Sequence, residues 1–221
     1  MAVRRSSFVL RATPVTIIAH LMGIAAVTLV LIWYLHFREG LAFKSSNKLK
    51  IFNVHPVLMV VGFVVVAGEG VMAYKTIPGT RKVQKFFHMT FHLIALLVGI
   101  LGVYAVFKFK REVGQPDMFT FHSWLGMGTI CLFGLQWLVG FFSYWFPGAE
   151  MPFRASFLPW HAFFGMAIFL MTICTAEMGL VEKFLSQGLG RDKEAYVVNF
   201  TGVAILLFGI TVTLSSVLPR Y

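Results

Sequence analysis

Long apolar stretches alternate with short polar joints along this chain. A helix needs about 20 mostly apolar residues to cross the hydrocarbon core of a bilayer. Six windows meet that length: Val15 to Leu35, Val54 to Tyr74, Phe87 to Phe107, Phe121 to Trp145, Pro159 to Leu180 and Val197 to Leu218. Turn residues and charges fill the joints, as in Arg38-Glu39-Gly40, Ile77-Pro78-Gly79, Gly114-Gln115-Pro116, Phe146-Pro147-Gly148 and Gly188-Leu189-Gly190. The pattern predicts an all-α membrane protein of six transmembrane helices. All five loops are short, so residues 1–221 read as a single transmembrane domain with no appended soluble one.

Composition agrees with a bilayer as the solvent. Of 221 residues, 58% are hydrophobic and 13% charged, against roughly 25% charged in ordinary soluble chains. That leaves too little polar surface for a water-soluble fold and too much apolar surface for disorder. Cys131 and Cys174 each lie inside an apolar run, so no disulfide or metal framework is implied. The first apolar run follows Arg4, Arg5 and Arg11, is too long for a signal peptide and lacks a small-residue cleavage site after it, so it is expected to remain as a span.

With six spans both termini share one side, here side A, together with the second and fourth loops. Side A carries nine Lys and Arg (Arg4, Arg5, Arg11, Lys75, Arg81, Lys82, Lys85, Arg154, Arg220) and side B ten, so the count alone does not orient the chain. The acids do differ: Glu39, Glu112, Asp117, Glu182, Asp192 and Glu194 fall on side B and only Glu150 on side A.

Seven histidines are the conspicuous polar residues. His55, His88, His122 and His161 each stand at or within one turn of the start of spans two to five. Successive spans run in opposite directions, so His55 and His122 lie toward side B, and His88 and His161 toward side A. An ionisable group at membrane depth marks function by default, and neutral imidazole is a good metal ligand. A bare zinc ion would want about four ligands, and no carboxylate or cysteine accompanies either pair. Haem iron needs two axial ligands, so two bis-histidine b haems is the economical reading. Gly126 and Gly165 follow His122 and His161 by one turn on the same face. They either clear space for a flat macrocycle or simply let helices approach. His92 lies one turn beyond His88, so spacing leaves either as the ligand. His88-Met-Thr-Phe-His92 lacks the glutamate of a zinc-protease helix. His20 and His36 are isolated, and Glu69 and Glu177 are acids at or near span depth with no assigned role. The competing class is a transporter or channel whose histidines line a proton or metal path without haem.

Five segments resemble motifs of the ascorbate-dependent cytochrome b561 family, its plant tonoplast-type members most closely: Leu35-His-Phe-Arg-Glu-Gly-Leu41, Asn53-Val-His-Pro-Val-Leu-Met59, Phe121-His-Ser-Trp124, Gln136-Trp-Leu-Val-Gly140 and Pro159-Trp-His-Ala-Phe-Phe-Gly165. The resemblance implies a homodimer in which spans two to five, about 54–181, form a four-helix core around two haem b groups. It assigns His55 and His122 to the non-cytoplasmic haem and His88 and His161 to the cytoplasmic haem, prefers His88 over His92, and makes side A cytoplasmic with both termini there. The implied donor is ascorbate and the implied acceptor monodehydroascorbate, or a ferric chelate, with residence in a vacuolar or other endomembrane. The partners are these small molecules and the lipid bilayer, and no nucleic acid is expected.

Ascorbate is an anion at neutral pH. Lys85 precedes His88 by three residues and Arg154 precedes His161 by seven, so these two are the leading anion ligands, with Arg81 secondary. On side B, where relatives often carry a histidine after span three, this chain has Phe107-Lys-Phe-Lys-Arg111, and Phe119 replaces a common tyrosine. Lys110, Phe109 and Trp124 are the candidate acceptor contacts there.

Overall fold

The structure, a computed structural model, describes residues 11–220. Arg4 and Arg5 of the side A count lie outside the described residues.

The six expected helices are present: α1 Ala12–Phe37, α2 Lys48–Thr76, α3 Arg81–Val113, α4 Phe121–Tyr144, α5 Met151–Ser186 and α6 Lys193–Val217. Each is long and apolar enough to cross a membrane, and the described residues contain no strand. Their ends are set by polar caps rather than by the limits of the apolar windows. Asn47 accepts from the Leu49 N–H, Thr80 from Val83, Thr120 from Ser123 in a reciprocal capping box, and Asp192 from Ala195. Gly114, with φ of 69°, ends α3 in a left-handed conformation that suits glycine.

Consequently α2 and α3 each begin six residues before their apolar windows, and α5 begins eight residues early. A window scan sees only the part of a helix that faces hydrocarbon, whereas the backbone hydrogen-bond ladder continues into the interface with Lys and Arg on its surface. The four matched histidines therefore lie within the first turn of their apolar windows but, except for His122, about two turns or more inside the helix.

Three antiparallel helix pairs organise the bundle: α1 with α6, α2 with α3, and α4 with α5. Helices α2 to α5 form the core, and α1 and α6 flank it against α2 and α5. Small residues allow the close approach, since a Cβ at Gly23 would stand 3.1 Å from the fully buried Phe208 of α6. In the middle of α2, Met59–Val66 widens into π turns just after Pro56, which cannot donate to the helical ladder.

Contacts at each end confirm which termini cluster. On side A the Ala12 N–H donates to the Pro219 carbonyl at 3.0 Å, Lys75 to Leu218 at 2.5 Å and Lys85 to Tyr144 at 3.1 Å. On side B, Trp33 Nε1 donates to Glu194 at 2.7 Å, Arg38 pairs with the same carboxylate, and Lys48 pairs with Glu112 at 2.7 Å.

Candidate functional site

The four matched histidines meet as two pairs. The ring centroids of His55 and His122 are 6.3 Å apart, and those of His88 and His161 are also 6.3 Å apart. In each pair the rings come from alternate helices, α2 with α4 on side B and α3 with α5 on side A.

Each ring is held from behind by its hairpin partner. His55 Nδ1 donates to the Gly102 carbonyl at 3.0 Å and His88 Nδ1 to Gly70 at 2.9 Å, so α2 and α3 anchor each other's histidine. In the other hairpin His122 Nδ1 donates to Thr175 at 2.9 Å, while His161 Nδ1 lies 3.1 Å from Gln136 Nε2. The Gln136 amide also donates to the His161 carbonyl at 2.7 Å. A carbonyl oxygen can only accept, so three of the four rings carry their proton on Nδ1 and leave the Nε2 lone pair available. That is the arrangement of a histidine prepared for a metal.

The anchors repeat at nearly constant spacing. Gly70 stands fifteen residues on from His55, Gly102 fourteen from His88, Gln136 fourteen from His122 and Thr175 fourteen from His161. At about 1.5 Å per residue, the two pairs are separated by roughly 21 Å along the helices. One turn past two of the anchors, glycines seat the rings: a Cβ at Gly140 would come within 2.9 Å of His161 and one at Gly179 within 2.8 Å of His122.

The glycines noted in the sequence do something else. Gly126 faces Thr175 Cγ2 at 3.2 Å from an added Cβ, and Gly165 faces Gln136 Nε2 at 3.3 Å. They admit the residues that hold the histidines. Sequence reasoning missed the anchors themselves, although Gln136 and Gly140 lay within a quoted motif.

His92 is not part of a facing pair. Its ring packs edge-on against His88, centroids 4.5 Å apart, and against Phe133 at 5.4 Å, with its Nδ1 buried and unpartnered among the described residues. Phe133 continues to Phe63 at 4.9 Å, extending a file of rings toward the bundle centre. His20 pairs with Glu69 at 2.8 Å, and His36 packs on Phe37. Glu177 Oε1 has no hydrogen-bond partner among the described residues.

At side A a cavity of about 480 Å³ is lined by Arg81, Lys82, Lys85, Tyr144 and Trp145, a size common for small-ligand sites. It connects to the histidines through tyrosines: the Tyr144 ring is 5.3 Å from His161, and Tyr74, beneath the Arg81 guanidinium, is 5.4 Å from His88. Lys85 and Arg81 line this cavity together with Lys82. Arg154 does not line the cavity, because its Nε donates to the Ala149 carbonyl in the preceding loop.

At side B, Phe109 is buried against Phe52, Lys110 lies 4.9 Å above the exposed Phe119 ring, and Trp124 is 65% exposed. The side B cavity, about 750 Å³, is lined instead by Lys44, Ser45, Ser46, Lys48, Lys108 and Glu112.

Fold and site together define a six-helix membrane protein with a half-buried pair of facing histidines toward each end of a four-helix core. Among the described residues no group of three or more His, Cys, Asp or Glu could hold a bare metal ion. The chain belongs to the eukaryotic cytochrome b561 family, whose profile matches residues 54–187, and that family binds haem. It is 45% identical over 214 residues to the probable ascorbate-specific transmembrane electron transporter 1 of Oryza sativa subsp. japonica, covering 95% of this chain and 92% of the relative. Identity to transmembrane ascorbate ferrireductase 1 of Arabidopsis thaliana is 40% over 221 residues, covering 98% and 90%. Identity to the transmembrane ascorbate-dependent reductase of Sus scrofa is 34% over 200 residues, covering 88% and 78%.

Proposed function

We propose that this protein moves electrons across a membrane from ascorbate on side A to monodehydroascorbate or a ferric chelate on side B, using two haem b groups. His88 and His161 hold the haem nearer ascorbate, and His55 and His122 hold the other.

The observation that carries this reading is the equal 6.3 Å separation of the two ring pairs. With a metal–nitrogen bond of roughly 2.0–2.1 Å and a ring nitrogen about 1.2 Å from its centroid, two imidazoles on opposite sides of one metal ion have centroids on the order of 6.4 Å apart. Both pairs fit. Their Nδ1 atoms are occupied from behind, and each pair supplies two ligands, which matches a macrocycle that supplies four of its own. Haem b, when bound, supplies a one-electron carrier at each end of the bundle.

The chain's own residues select and orient the donor. Arg81, Lys82 and Lys85 give the side A cavity a positive lining suited to an ascorbate anion, and Trp145 and Tyr144 form its apolar wall. Tyr144 and Tyr74 lie against the two imidazoles and link them to that cavity, Tyr144 as part of its lining and Tyr74 beneath Arg81. The similarity to an ascorbate-specific transmembrane electron transporter and to a transmembrane ascorbate ferrireductase supports ascorbate as the donor and a ferric chelate as one acceptor. The resemblance to the cytochrome b561 family supports side A as the cytoplasmic face, and the Lys and Arg count is neutral on it.

The experiment is a haem count with histidine variants. Purified protein is expected to carry two low-spin b haems per chain, with one lost in His55→Ala or His122→Ala and the other in His88→Ala or His161→Ala. A haem-free protein, or two haems surviving all four substitutions, overturns the assignment.

A further inference from the structure

Lys183 of α5 is a partly buried ammonium whose surroundings the electron relay leaves unexplained. It belongs to the row Thr175, Gly179, Lys183, spaced by four residues along one side of the helix. The Thr175 carbonyl holds His122, and Gly179 lies against the His122 ring. One turn further out, Lys183 places its Nζ 4.1 Å from the centre of the Phe52 ring, and Phe52 in turn packs on His55 at 6.4 Å. Lys183 therefore caps the side B pair, touching the aromatic neighbour of one histidine from the row that holds the other.

Lys183 forms no ion pair among the described residues, with Glu182 and Glu194 acting on its charge only at longer range. Among the other side B cations, Arg38 pairs with Glu194, and Lys48 and Lys108 with Glu112. No carboxylate among the described residues lies within 4 Å of Lys183, and the residue lines neither cavity. A cation over an aromatic face is stabilised modestly, yet a desolvated ammonium calls for an anion. Haem b carries two propionate carboxylates.

We propose that Lys183 receives a propionate of the haem held by His55 and His122, and so raises the affinity of that haem for its electron. This inference rests on the haem reading of the paired histidines. A positive charge beside the haem favours the reduced form, which carries one positive charge fewer at the iron.

The test is a redox titration of Lys183→Met and Lys183→Arg holoprotein, with the side B haem identified as the one absent from His122→Ala. Lys183→Met is expected to keep both haems and shift the side B midpoint to more negative potential, a severalfold drop in its reduced-to-oxidised ratio at fixed ambient potential. The side A midpoint stays in place, and Lys183→Arg restores the shift. With the propionates labelled with carbon-13, the redox difference infrared band of one propionate moves in Lys183→Met and not in Lys183→Arg. Unchanged midpoints and bands in Lys183→Met overturn this inference alone. If Lys183→Met does not fold, Lys183→Gln against Lys183→Arg makes the same comparison. A wild-type protein without haem would instead overturn the reading on which the inference rests.

Discussion

The carbonyl oxygen of Gly70 lies 2.9 Å from Nδ1 of His88, and the missing side chain of the same glycine makes room for His92, whose Cε1 and Nε2 a Cβ there would approach to 2.9 Å. One residue of α2 therefore orients one histidine of α3 and seats the next. Gly70→Ala would gain about 1 kcal/mol of helix propensity. It would also overpack His92, which is wedged between His88 and Phe133, at a typical cost of about 1–3 kcal/mol. The clash is expected to win, displacing the carbonyl that holds His88. The expected outcome is a lower thermal midpoint and selective loss of side A haem absorbance, both read from the purified variant.

His88 and His92 are told apart by what surrounds them. His88 faces His161 and is tied at Nδ1, whereas His92 faces Phe133 with Nδ1 unpartnered. His92→Leu is expected to retain two haems per chain with low-spin spectra, and His88→Leu to retain one. A pyridine haemochrome assay counts them, and the reverse pattern would make His92 the ligand.

The side A cavity ranks the cations. Lys85 lines it and reaches the Tyr144 carbonyl, while Arg154 is turned onto its own loop. Hydrogen bonds to charged groups contribute about 1.5–3 kcal/mol, and 1.4 kcal/mol is a factor of about ten. Lys85→Ala is expected to raise the ascorbate concentration for half-maximal reduction by about tenfold or more at normal haem content, and Arg154→Ala by much less. Stopped-flow reduction kinetics over an ascorbate series check both.

Gln136 is the side-chain anchor in a set where the other three are backbone carbonyls. Loss of a residue that orients a metal ligand commonly weakens metal affinity by about 10–100-fold. Gln136→Leu is expected to speed transfer of the side A haem to apomyoglobin by that order, leaving the side B haem unaffected. Equal release rates for the two haems in this variant would deny Gln136 its anchoring part.

The six helices were legible because bilayer thickness imposes a length that an apolar count detects directly. Their true ends were not, because caps such as Thr80 and Asn47 extend helices into water, where hydropathy is silent. The histidines at matched depths in spans two to five were visible, since depth follows from position along a helix. Which group held each ring was hidden, because three of the four anchors are backbone carbonyls and carry no residue signature. Arg154, seven residues and two turns before His161 on α5, has its Nε on the Ala149 carbonyl, a backbone link that likewise carries no residue signature. Lys183 carried no sequence signal at all, as its link to His55 passes through Phe52 on another helix.

The central claim is that two histidine pairs form one electron path between opposite faces. Proteoliposomes holding ascorbate inside and a membrane-impermeant ferric chelate outside test it most directly, with inside-facing side A selected by orientation. Wild-type protein is expected to reduce the external chelate, and both His88→Ala and His55→Ala to abolish that reduction although they lie at opposite ends of the bundle. Undiminished reduction by His55→Ala, while His88→Ala is inactive, would contradict a path that runs through both pairs.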